Sequence, residues 1–559
     1  MHYFIIMSLF LSSSLAFAKD SKNLDQEFIP GEFIVKLKTG VSLKSIKLSP
    51  SINIKKSINE SFAVVTASSN KSVENIISVL ESNPLVEYAE PNFIWRIVTP
   101  IDEGKLNSSV SLEGNLNSPD DPFFNTQWGL SNTGENEPKA KTSGVAGSDI
   151  NAIRAWAINR GSKRVKIAVI DTGVDYRHID LRDQMWVNKK ELYGTKGVDD
   201  DENGYVDDIY GHDFSNEDGD PMDGHGHGTH CAGVIGAAHN NQTGIAGVMP
   251  EVTIVAIKFL SDSGSGGTDQ AIAAIEYAIK AEVDVMSNSW GGGKYSEALK
   301  ETIMKASNAG IIFVAASGNK SSNTDEEPHY PSSYDLPNVV SVGALTAQNK
   351  IASFSNYGAN TVDIAAPGKN INSTVQGNKY KVYSGTSMAA PHVAGALGLL
   401  ISQTGRIPHE EMMDRLIATA EPVKRLRGKV KDYSGRLNAY NLLSNTRPYK
   451  NIPKESDWES VAVEVFESAH PYVADSNVSK SYRVPGAKFL RIKVRKMDLE
   501  KSYDYLKVSA KGVVYDKISG QGENRTSVYI DGDSVDIQFK SDSSVNNWGF
   551  VIDEIEAVR

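Results

Sequence analysis

Three residues that could carry out acyl transfer lie far apart in the chain, each beside glycine and other small residues. Asp171 follows the expected strand 163–170, His227 lies in a glycine-rich run, and Ser387 lies at the first turn of a helix-like run that extends to Leu400. A serine hydroxyl attacks a carbonyl only when a base accepts its proton and hydrogen-bond donors stabilise the oxyanion that forms. The fold must therefore bring such groups together around Ser387.

The segments around these residues predict how the fold does so. Apolar strands alternate with helix-like stretches at 269–281 and 296–309, and the strands are expected at 163–170, 252–257, 283–287, 311–315 and 339–342. This alternation predicts an α/β domain with a parallel sheet covered by helices on both faces. In such sheets, working residues collect at the carboxyl ends of the strands.

The histidines at this predicted site permit two interpretations. His225, His227 and His230 could form a zinc site, although their spacing with intervening glycines does not place them on one helix face. One of them could instead be the base that activates a serine. Taken alone, the cluster favours neither interpretation.

Four motifs in register resemble the subtilisin-like serine proteases over residues 121–443. Asp-Thr-Gly alone is also typical of aspartic proteases, but the order Asp, His, Ser is that of subtilisin. The motifs are Ile170-Asp171-Thr172-Gly173, His227-Gly228-Thr229-His230, Ala316-Ser317-Gly318-Asn319 and Gly385-Thr386-Ser387-Met388-Ala389. The resemblance implies that Ser387 is the nucleophile, His227 the base and Asp171 its orienting carboxylate. It also implies that the Asn319 amide and the Ser387 N–H form the oxyanion hole.

The same resemblance implies a substrate cleft. Two glycine-rich segments resemble the edges with which the family pairs an extended substrate, although they could also be flexible loops. His329 falls where the family places the base of the primary pocket, which predicts a polar floor and a pH-dependent preference. The implied substrate-binding residues are Gly264, Ser265, Gly266, Ser289, Trp290, Gly291, Ala316, Ser317, Gly318 and His329.

Two groups of oxygen-bearing residues in this domain predict structural calcium. The loop 199–208 places Asp199, Asp201, Asn203 and Asp208 around a glycine, the spacing that a hard cation prefers, although a solvated acidic loop is the alternative. A second site follows from resemblance to thermitase-like members of the family. It would use side chains of Asp121, Asp180 and Asn241 with carbonyls of Ala238, Thr243 and Ile245.

The modules on either side of this domain have their own patterns. Strands at 32–38 and 86–92 and a helix at 71–82 form a small α+β unit that resembles the family's propeptide, which implies an intramolecular inhibitor. Strand-period segments at 488–494, 505–509, 527–530 and 535–539 predict a C-terminal β-sandwich. Its motifs resemble a CUB domain, with Glu500, Asp504 and Asp542 as a calcium site; a generic β-sandwich is the alternative.

Length and composition bound the organisation of the 559-residue chain. The predicted parts are a signal peptide (1–18), a propeptide (19–98), an exposed linker open to cleavage (99–120), the peptidase domain (121–446), a linker (447–457) and the β domain (458–559). A net charge of −11 without a basic patch argues against nucleic-acid binding. Cys231 is the single cysteine, which excludes an intramolecular disulfide framework.

These features predict a secreted serine endopeptidase, extracellular or in the cell envelope, that is made as a zymogen and processes itself. We expect a monomer without a membrane span that acts on protein or peptide substrates. A processing protease of narrow specificity remains a second interpretation. A catalytically silent binding or scaffold protein is the third, which the intact set Asp171, His227, Ser387 and Asn319 disfavours.

Overall fold

The computed structural model describes residues 27–67, 72–104, 118–292, 294–432, 434–448, 450, 452–501 and 503–559. The predicted signal peptide lies outside the described residues. The chain forms two compact units, residues 1–94 and 95–559. No helix in the described ranges combines the length and apolarity needed to cross a membrane.

The first unit is a small α+β domain with an antiparallel sheet in the order β4-β1-β3-β2. Ser72 accepts a hydrogen bond from the Asn75 N–H and caps the helix, whose Ile76 and Leu80 are buried on the face toward the sheet. The predicted helix and both predicted strands are present. The elements are β1 (Phe28–Leu37), β2 (Ile52–Ser57), β3 (Phe62–Ala67), α1 (Val73–Glu81) and β4 (Val86–Ile97), whose last residues belong to the second unit.

The second unit is built on a seven-stranded parallel sheet in the order β14-β13-β12-β10-β6-β8-β7. Its strands consist of continuous buried runs because helices cover both faces. They are β6 (Gly161–Asp171), β7 (Gly211–Asp213), β8 (Glu251–Lys258), β10 (Val285–Asn288), β12 (Ile312–Ala316), β13 (Val339–Leu345) and β14 (Ile364–Pro367). The predicted α/β architecture is confirmed.

The long helix α7 packs along the middle of this sheet, against β6, β10, β12 and β13. Side chains of α7 such as Val393 and Leu397 share one core with Ile167 and Val169 of β6. The helices are α2 (Ala152–Trp156), α3 (Lys189–Tyr193), α4 (His227–Gly236), α5 (Thr268–Lys280), α6 (Glu297–Asn308), α7 (Thr386–Thr404), α8 (His409–Thr419) and α9 (Ala439–Ser444).

Short strands surround one edge of this domain. They are β5 (Ile101–Gly104), β9 (Ser265–Gly267), β11 (Trp290–Gly291), β15 (Ile371–Val375) and β16 (Lys379–Ser384). An antiparallel sheet has the order β15-β16-β5. Within the segment predicted as an exposed linker (99–120), residues 101–104 form a strand paired with β16, and Ile101 and Asp102 are exposed. Residues 105–117 lie outside the described part of the chain.

The C-terminal residues form two antiparallel sheets, in the orders β17-β25-β19-β22 and β18-β24-β20-β21, with β23 paired to β19. Leu490, Leu506 and Ile555 belong to the buried core of this module. The strands are β17 (Glu459–Glu467), β18 (Asn477–Arg483), β19 (Phe489–Asp498), β20 (Tyr505–Ala510), β21 (Val513–Ile518), β22 (Gln521–Thr526), β23 (Ile530–Asp531), β24 (Ser534–Lys540) and β25 (Gly549–Val558).

The strand predicted at 527–530 is wrong for its first three residues. The Ser527 N–H still donates to the Ile492 carbonyl, but the Ile492 N–H donates to the Ser527 hydroxyl instead of a backbone carbonyl, which interrupts the regular pairing of a strand. The other three predicted strands of this module correspond to β19, β20 and β24.

Candidate active site

The carboxyl ends of three adjacent strands form one edge of the parallel sheet. Asp171 is the last residue of β6, Ser289 follows β10, and Asn319 lies just beyond β12. Because parallel strands end at a common edge, residues that are distant in sequence meet there. This edge is where the sequence predicted that the working residues would collect.

His227 begins helix α4, and the buried carboxylate of Asp223 holds the start of that helix. Asp223 accepts hydrogen bonds from the Gly226 N–H at 2.8 Å and from the Thr229 N–H at 2.9 Å. Glycine is required at 228, where an added β-carbon would lie 2.1 Å from the Gly173 carbonyl oxygen. The sequence analysis missed Asp223; an acidic residue just before a helix start is the signal that could have found it.

Asp171 and His227 form a fully buried hydrogen-bonded pair. The His227 Nδ1 lies 2.7 Å from the Asp171 Oδ1, and the Thr172 N–H donates to the same oxygen at 2.7 Å. Since a carboxylate only accepts hydrogen bonds, Nδ1 carries the proton and Nε2 has a free lone pair. Among the described residues, Nε2 is buried and has no hydrogen-bond partner, which makes it available to accept a proton.

The three histidines predicted as base or zinc ligands do not converge. His230 stacks on Tyr383 with ring centroids 4.6 Å apart, and burial together with the nearby His227 lowers its pKa to about 3. Within the described residues, the one potential metal cluster that contains His227 joins it to Asp171 and Cys231, not to another histidine. The geometry thus favours the base over the zinc site.

Ser387 is the second residue of α7, so its N–H belongs to the first turn, where backbone amides have no partner within the helix. Its hydroxyl donates to the Val98 carbonyl oxygen at 2.8 Å and approaches the Ser289 carbonyl oxygen at 3.2 Å. An added β-carbon on Gly385 would lie 3.0 Å from the Asn319 Nδ2 and 3.5 Å from the Pro100 Cα. Glycine therefore lets a bound backbone approach the serine closely.

The Asn319 side chain has a fixed orientation at the same place. Its Oδ1 accepts hydrogen bonds from the Thr386 N–H and hydroxyl, both at 2.9 Å. Its Nδ2 therefore faces the segment in front of Ser387, and donates to the Thr99 carbonyl at 3.0 Å and to the Val98 carbonyl at 3.4 Å. Thr386 is a positioning residue that the sequence analysis did not identify in that role.

Asn356 holds the loop that carries Asn319. Its Nδ2 donates to the Ser317 carbonyl at 2.8 Å, its N–H donates to the Gly318 carbonyl at 2.8 Å, and its Oδ1 accepts from the Lys320 N–H at 2.9 Å. Asn356 follows β13, far from this loop in sequence, and no local motif marks it. Only the folded chain shows that it supports the site.

A segment of the chain itself occupies the predicted substrate cleft. The end of β4 pairs antiparallel with β11, with Ile97 opposite Trp290 and Arg96 opposite Gly291. The Ile97 N–H donates to the Gly264 carbonyl at 2.9 Å and the Val98 N–H to the Ser289 carbonyl at 3.1 Å. Both predicted edges therefore bind an extended backbone.

Trp95 fills a pocket beside these edges. The indole is completely buried, its Nε1 donates to the Thr268 hydroxyl at 3.0 Å, and its ring lies edge-on to Trp290 with centroids 5.7 Å apart. Trp95 is the fourth residue of the bound strand, counted backwards with Val98 as the first. The pocket therefore suits a large aromatic side chain with a hydrogen-bond donor.

The buried ring of His329 lies beside this cleft. An added β-carbon on Gly291 would lie 2.5 Å from its Cε1, and one on Gly318 3.0 Å from its Cδ2, so the ring lies between the two backbones that border the primary pocket. Burial and the charge of Lys320 lower the pKa of His329 to about 4. The pH-dependent preference therefore stays a prediction, with its transition expected near the pKa of about 4.

Cys231 lies under this site without the properties of a nucleophile. Its Sγ lies 3.4 Å from the Ser387 carbonyl oxygen and the side chain is buried. Desolvation and the charge of Asp171 raise the pKa of its thiol well above the ordinary value. The residue therefore contributes packing.

The residues predicted to form the thermitase-like site come together near the start of the domain. Asp121 accepts hydrogen bonds from the Asn240 and Asn241 N–H groups, and Asp180 accepts from the Asn241 Nδ2 and the Ile245 N–H. Burial raises the pKa of both carboxyl groups to about 6. The carboxylates are thus close together and partly desolvated, which suits a shared cation.

At the site predicted in the loop 199–208, the fold adds a carboxylate from outside the loop. Carboxylate oxygens of Glu191, Asp201 and Asp208 lie within 4.8 Å of one another. Asp199 instead accepts hydrogen bonds from the Asn203 and Gly204 N–H groups and so shapes the loop. The sequence analysis missed Glu191, because it lies outside the acidic run and only the fold brings it there.

In the C-terminal module, Glu500, Asp504 and Asp542 also place carboxylate oxygens within 4.8 Å of one another. Asp504 is buried, accepts a hydrogen bond from the Tyr472 hydroxyl, and accepts another from the Asp542 N–H at 2.8 Å. Desolvation and the two neighbouring carboxylates raise the pKa of the Glu500 carboxyl.

Comparison with known proteins covers both units. A model of the Subtilase family matches residues 162–446, and one of the fervidolysin N-terminal prodomain matches residues 18–92. The chain is 37% identical over 373 residues to the thermophilic serine proteinase of Bacillus sp. (strain AK1), across 66% of this chain and 76% of that protein. Thermitase from Thermoactinomyces vulgaris is 38% identical over 268 residues, across 48% of this chain and 85% of its own. Subtilisin-like protease 1 of Plasmodium berghei (strain Anka) is 32% identical over 367 residues, covering 62% and 59%.

Proposed function

We propose that this chain, which belongs to the subtilase family and is a serine endopeptidase with a prodomain, is exported and matures by cleaving its own Val98–Thr99 bond. In this proposal Asp171, His227 and Ser387 form the catalytic triad. The observation that carries the proposal is the Val98 carbonyl, whose oxygen lies 2.8 Å from the Ser387 hydroxyl. The strand that leads to Val98 is paired to the cleft. The apolar run at the N-terminus supports export.

The residues divide the chemistry between them. Ser387 Oγ attacks the Val98 carbonyl carbon and its proton passes to the His227 Nε2, while Asp171 stabilises the imidazolium through Nδ1. The Asn319 Nδ2 and the Ser387 N–H stabilise the oxyanion. His227 then gives the proton to the Thr99 nitrogen, the peptide bond breaks, and water hydrolyses the acyl-enzyme by the same route.

The position of the cut is tested by N-terminal sequencing of protein that matures in isolation. We expect the new N-terminus to be Thr99. Val98 is 6% exposed, so Val98→Asp should slow maturation at least tenfold, because it buries an unpaired carboxylate. Arg96→Asp is the matched control, because the exposed Arg96 side chain does not enter the pocket. A first cut within 105–117, unaffected by Val98→Asp, would refute the assignment.

A processing protease of narrow specificity is the second candidate, and the Trp95 pocket favours it. A pocket that buries an indole and bonds its Nε1 to Thr268 should discriminate against small residues at that position. A peptide library that varies this position distinguishes the candidates: a general protease would accept many side chains, and a selective one would prefer tryptophan.

We also propose that calcium stabilises this protein at three sites. Two lie in the catalytic domain, at Glu191, Asp201 and Asp208 and at Asp121 and Asp180. The third lies in the β module, at Glu500, Asp504 and Asp542. The donor chemistry of these clusters fits calcium. Carboxylates that lie close together and partly buried repel one another without a cation, and their oxygens are the hard ligands that calcium prefers. Asp208 is completely buried, and burial raises the pKa of its carboxyl to about 6.

Removal of calcium should lower the melting temperature by several degrees at pH 7.5, since an ion at about 100 times its Kd contributes about 2.7 kcal/mol. The effect should shrink as the pH falls below about 6. Burial raises the folded-state pKa of Asp208 to about 6, so protons compete with calcium for that carboxylate below about that pH. Scanning calorimetry with and without chelator at pH 7.5 and 5 measures this.

Asp208→Asn should reduce the chelator effect at pH 7.5. Asp213→Asn is the matched control, because burial also raises the pKa of Asp213 to about 6 but its carboxylate accepts hydrogen bonds from Ser215 and Asn216 outside the cluster. A melting temperature that chelator leaves unchanged at both pH values would contradict the calcium proposal.

A further inference from the structure

Strand β5 continues the bound segment beyond the bond that faces Ser387. Residues 101–104 pair antiparallel with β16, with Ile101 opposite Ser384, Asp102 opposite Tyr383 and Gly104 opposite Val382. The other edge of β16 pairs with β15. When the segment 101–104 departs after cleavage, β16 becomes an edge strand with unpaired backbone groups, which is a template for another extended chain.

The side chains at this pairing carry complementary charge. The Lys381 Nζ lies 2.9 Å from the Asp102 Oδ2, and the Ser384 hydroxyl donates to the Glu103 Oε1 at 3.0 Å. Both members of the ion pair are half-exposed, so a free peptide can reach them. Partial burial opposes ionisation of Asp102, yet its hydrogen bonds from Lys381 and the Gly104 N–H hold its pKa below the ordinary value.

The two acidic residues lie on the leaving side of the bond proposed to be cleaved. Asp102 is the fourth residue and Glu103 the fifth after Val98, on the side that leaves with the amine. They contact β16, which leads through Gly385 to the nucleophile at Ser387. β16 therefore contacts the part of the chain after the cleaved bond, while the cleft binds the part before it.

We propose that β16 is a docking strand for the leaving side of protein substrates, and that Lys381 and Ser384 select acidic residues at the fourth and fifth positions after the cleaved bond. The inference rests on the proposed function and deepens it. The substrate class is an extended segment with an acidic pair on its leaving side.

The test uses the matured full chain and two quenched fluorescent peptides. One has the sequence of residues 95–104, and the other replaces its Asp and Glu with Asn and Gln. We expect kcat/KM to be about two- to fivefold higher for the acidic peptide, the range of a half-exposed ion pair. The preference should vanish in ~1 M salt, which screens exposed charges.

Lys381→Gln should remove the preference, and Lys379→Gln, on the same strand and exposed, should keep it. Equal rates for the two peptides with the wild-type enzyme overturn the inference, and so does a preference that survives in Lys381→Gln. Cleavage of neither peptide by an enzyme that a fluorophosphonate labels also overturns it while leaving the peptidase function intact. An enzyme that is neither labelled nor active overturns the proposed function instead.

Discussion

Ser387→Ala is expected to leave the precursor uncleaved and to lower turnover by about 10⁶-fold, the size of loss known for subtilisin, a member of the same family. The methyl group that remains cannot form an acyl bond, while the paired backbone of residues 95–98 and the oxyanion donors stay in place. Substrates should therefore still bind. Intact mass of the isolated precursor measures maturation, peptide cleavage measures turnover, and fluorophosphonate labelling reports the loss of the serine nucleophile.

Ser402→Ala is the matched control for this variant, because Ser402 lies on the same helix α7, donates to the Leu399 carbonyl and accepts from the Asn159 Nδ2, away from the candidate site. It should mature and be labelled like the wild type. Maturation of isolated Ser387→Ala at the wild-type rate would show that another residue cleaves the precursor. Cleavage of that variant only after wild-type enzyme is added would agree with the proposal and show that processing between molecules is possible.

Asp171→Asn is expected to lower kcat roughly 10⁴-fold, as the corresponding changes do in other serine proteases including subtilisin. The side chain keeps its shape, but an amide can offer an N–H to the His227 Nδ1, which now lies 2.7 Å from a carboxylate oxygen. That arrangement favours the tautomer with the proton on Nε2, so the imidazole loses its role as base.

The control for this variant is Asp149→Asn, which alters a buried carboxylate that accepts hydrogen bonds from the Asn132 and Asn151 N–H groups, away from the site. Asp149→Asn should change stability about as much as Asp171→Asn does, but it should change kcat little. Single-turnover acylation separates chemistry from binding. An Asp171→Asn enzyme with unchanged acylation rate and a folded-state melting curve like that of the wild type would remove Asp171 from the triad.

Each local part of the candidate site has a signal in the nearby sequence. The strand that ends at Asp171, the small-residue run that begins α4 at His227, and the glycine before Ser387 all need particular residue types at fixed offsets. The alternation of strands and helices then predicts the sheet, and the sheet's carboxyl edge predicts where these residues meet. That much follows from chemistry and periodicity.

Other parts of the site have no local signal. Asn356 and Glu191 join loops that are separated in sequence, so nothing near them in the chain indicates their partners. The charge state of His329 depends on burial, which the sequence does not give. The polar composition of residues 101–104 likewise does not show that β16 provides an edge with which they pair.

The sequence by itself supplied the reactive groups, a carboxylate, an imidazole, a hydroxyl and an amide, in four motifs whose combination resembles one protease family. Only the tertiary structure decided which bond of the chain lies at Ser387, which side chains border the bound strand, and which carboxylates lie close to one another. The physical reason is that reactive groups are specified by residue type at short range. Substrate position, desolvation and charge pairing arise instead from contacts between segments that are distant in the chain.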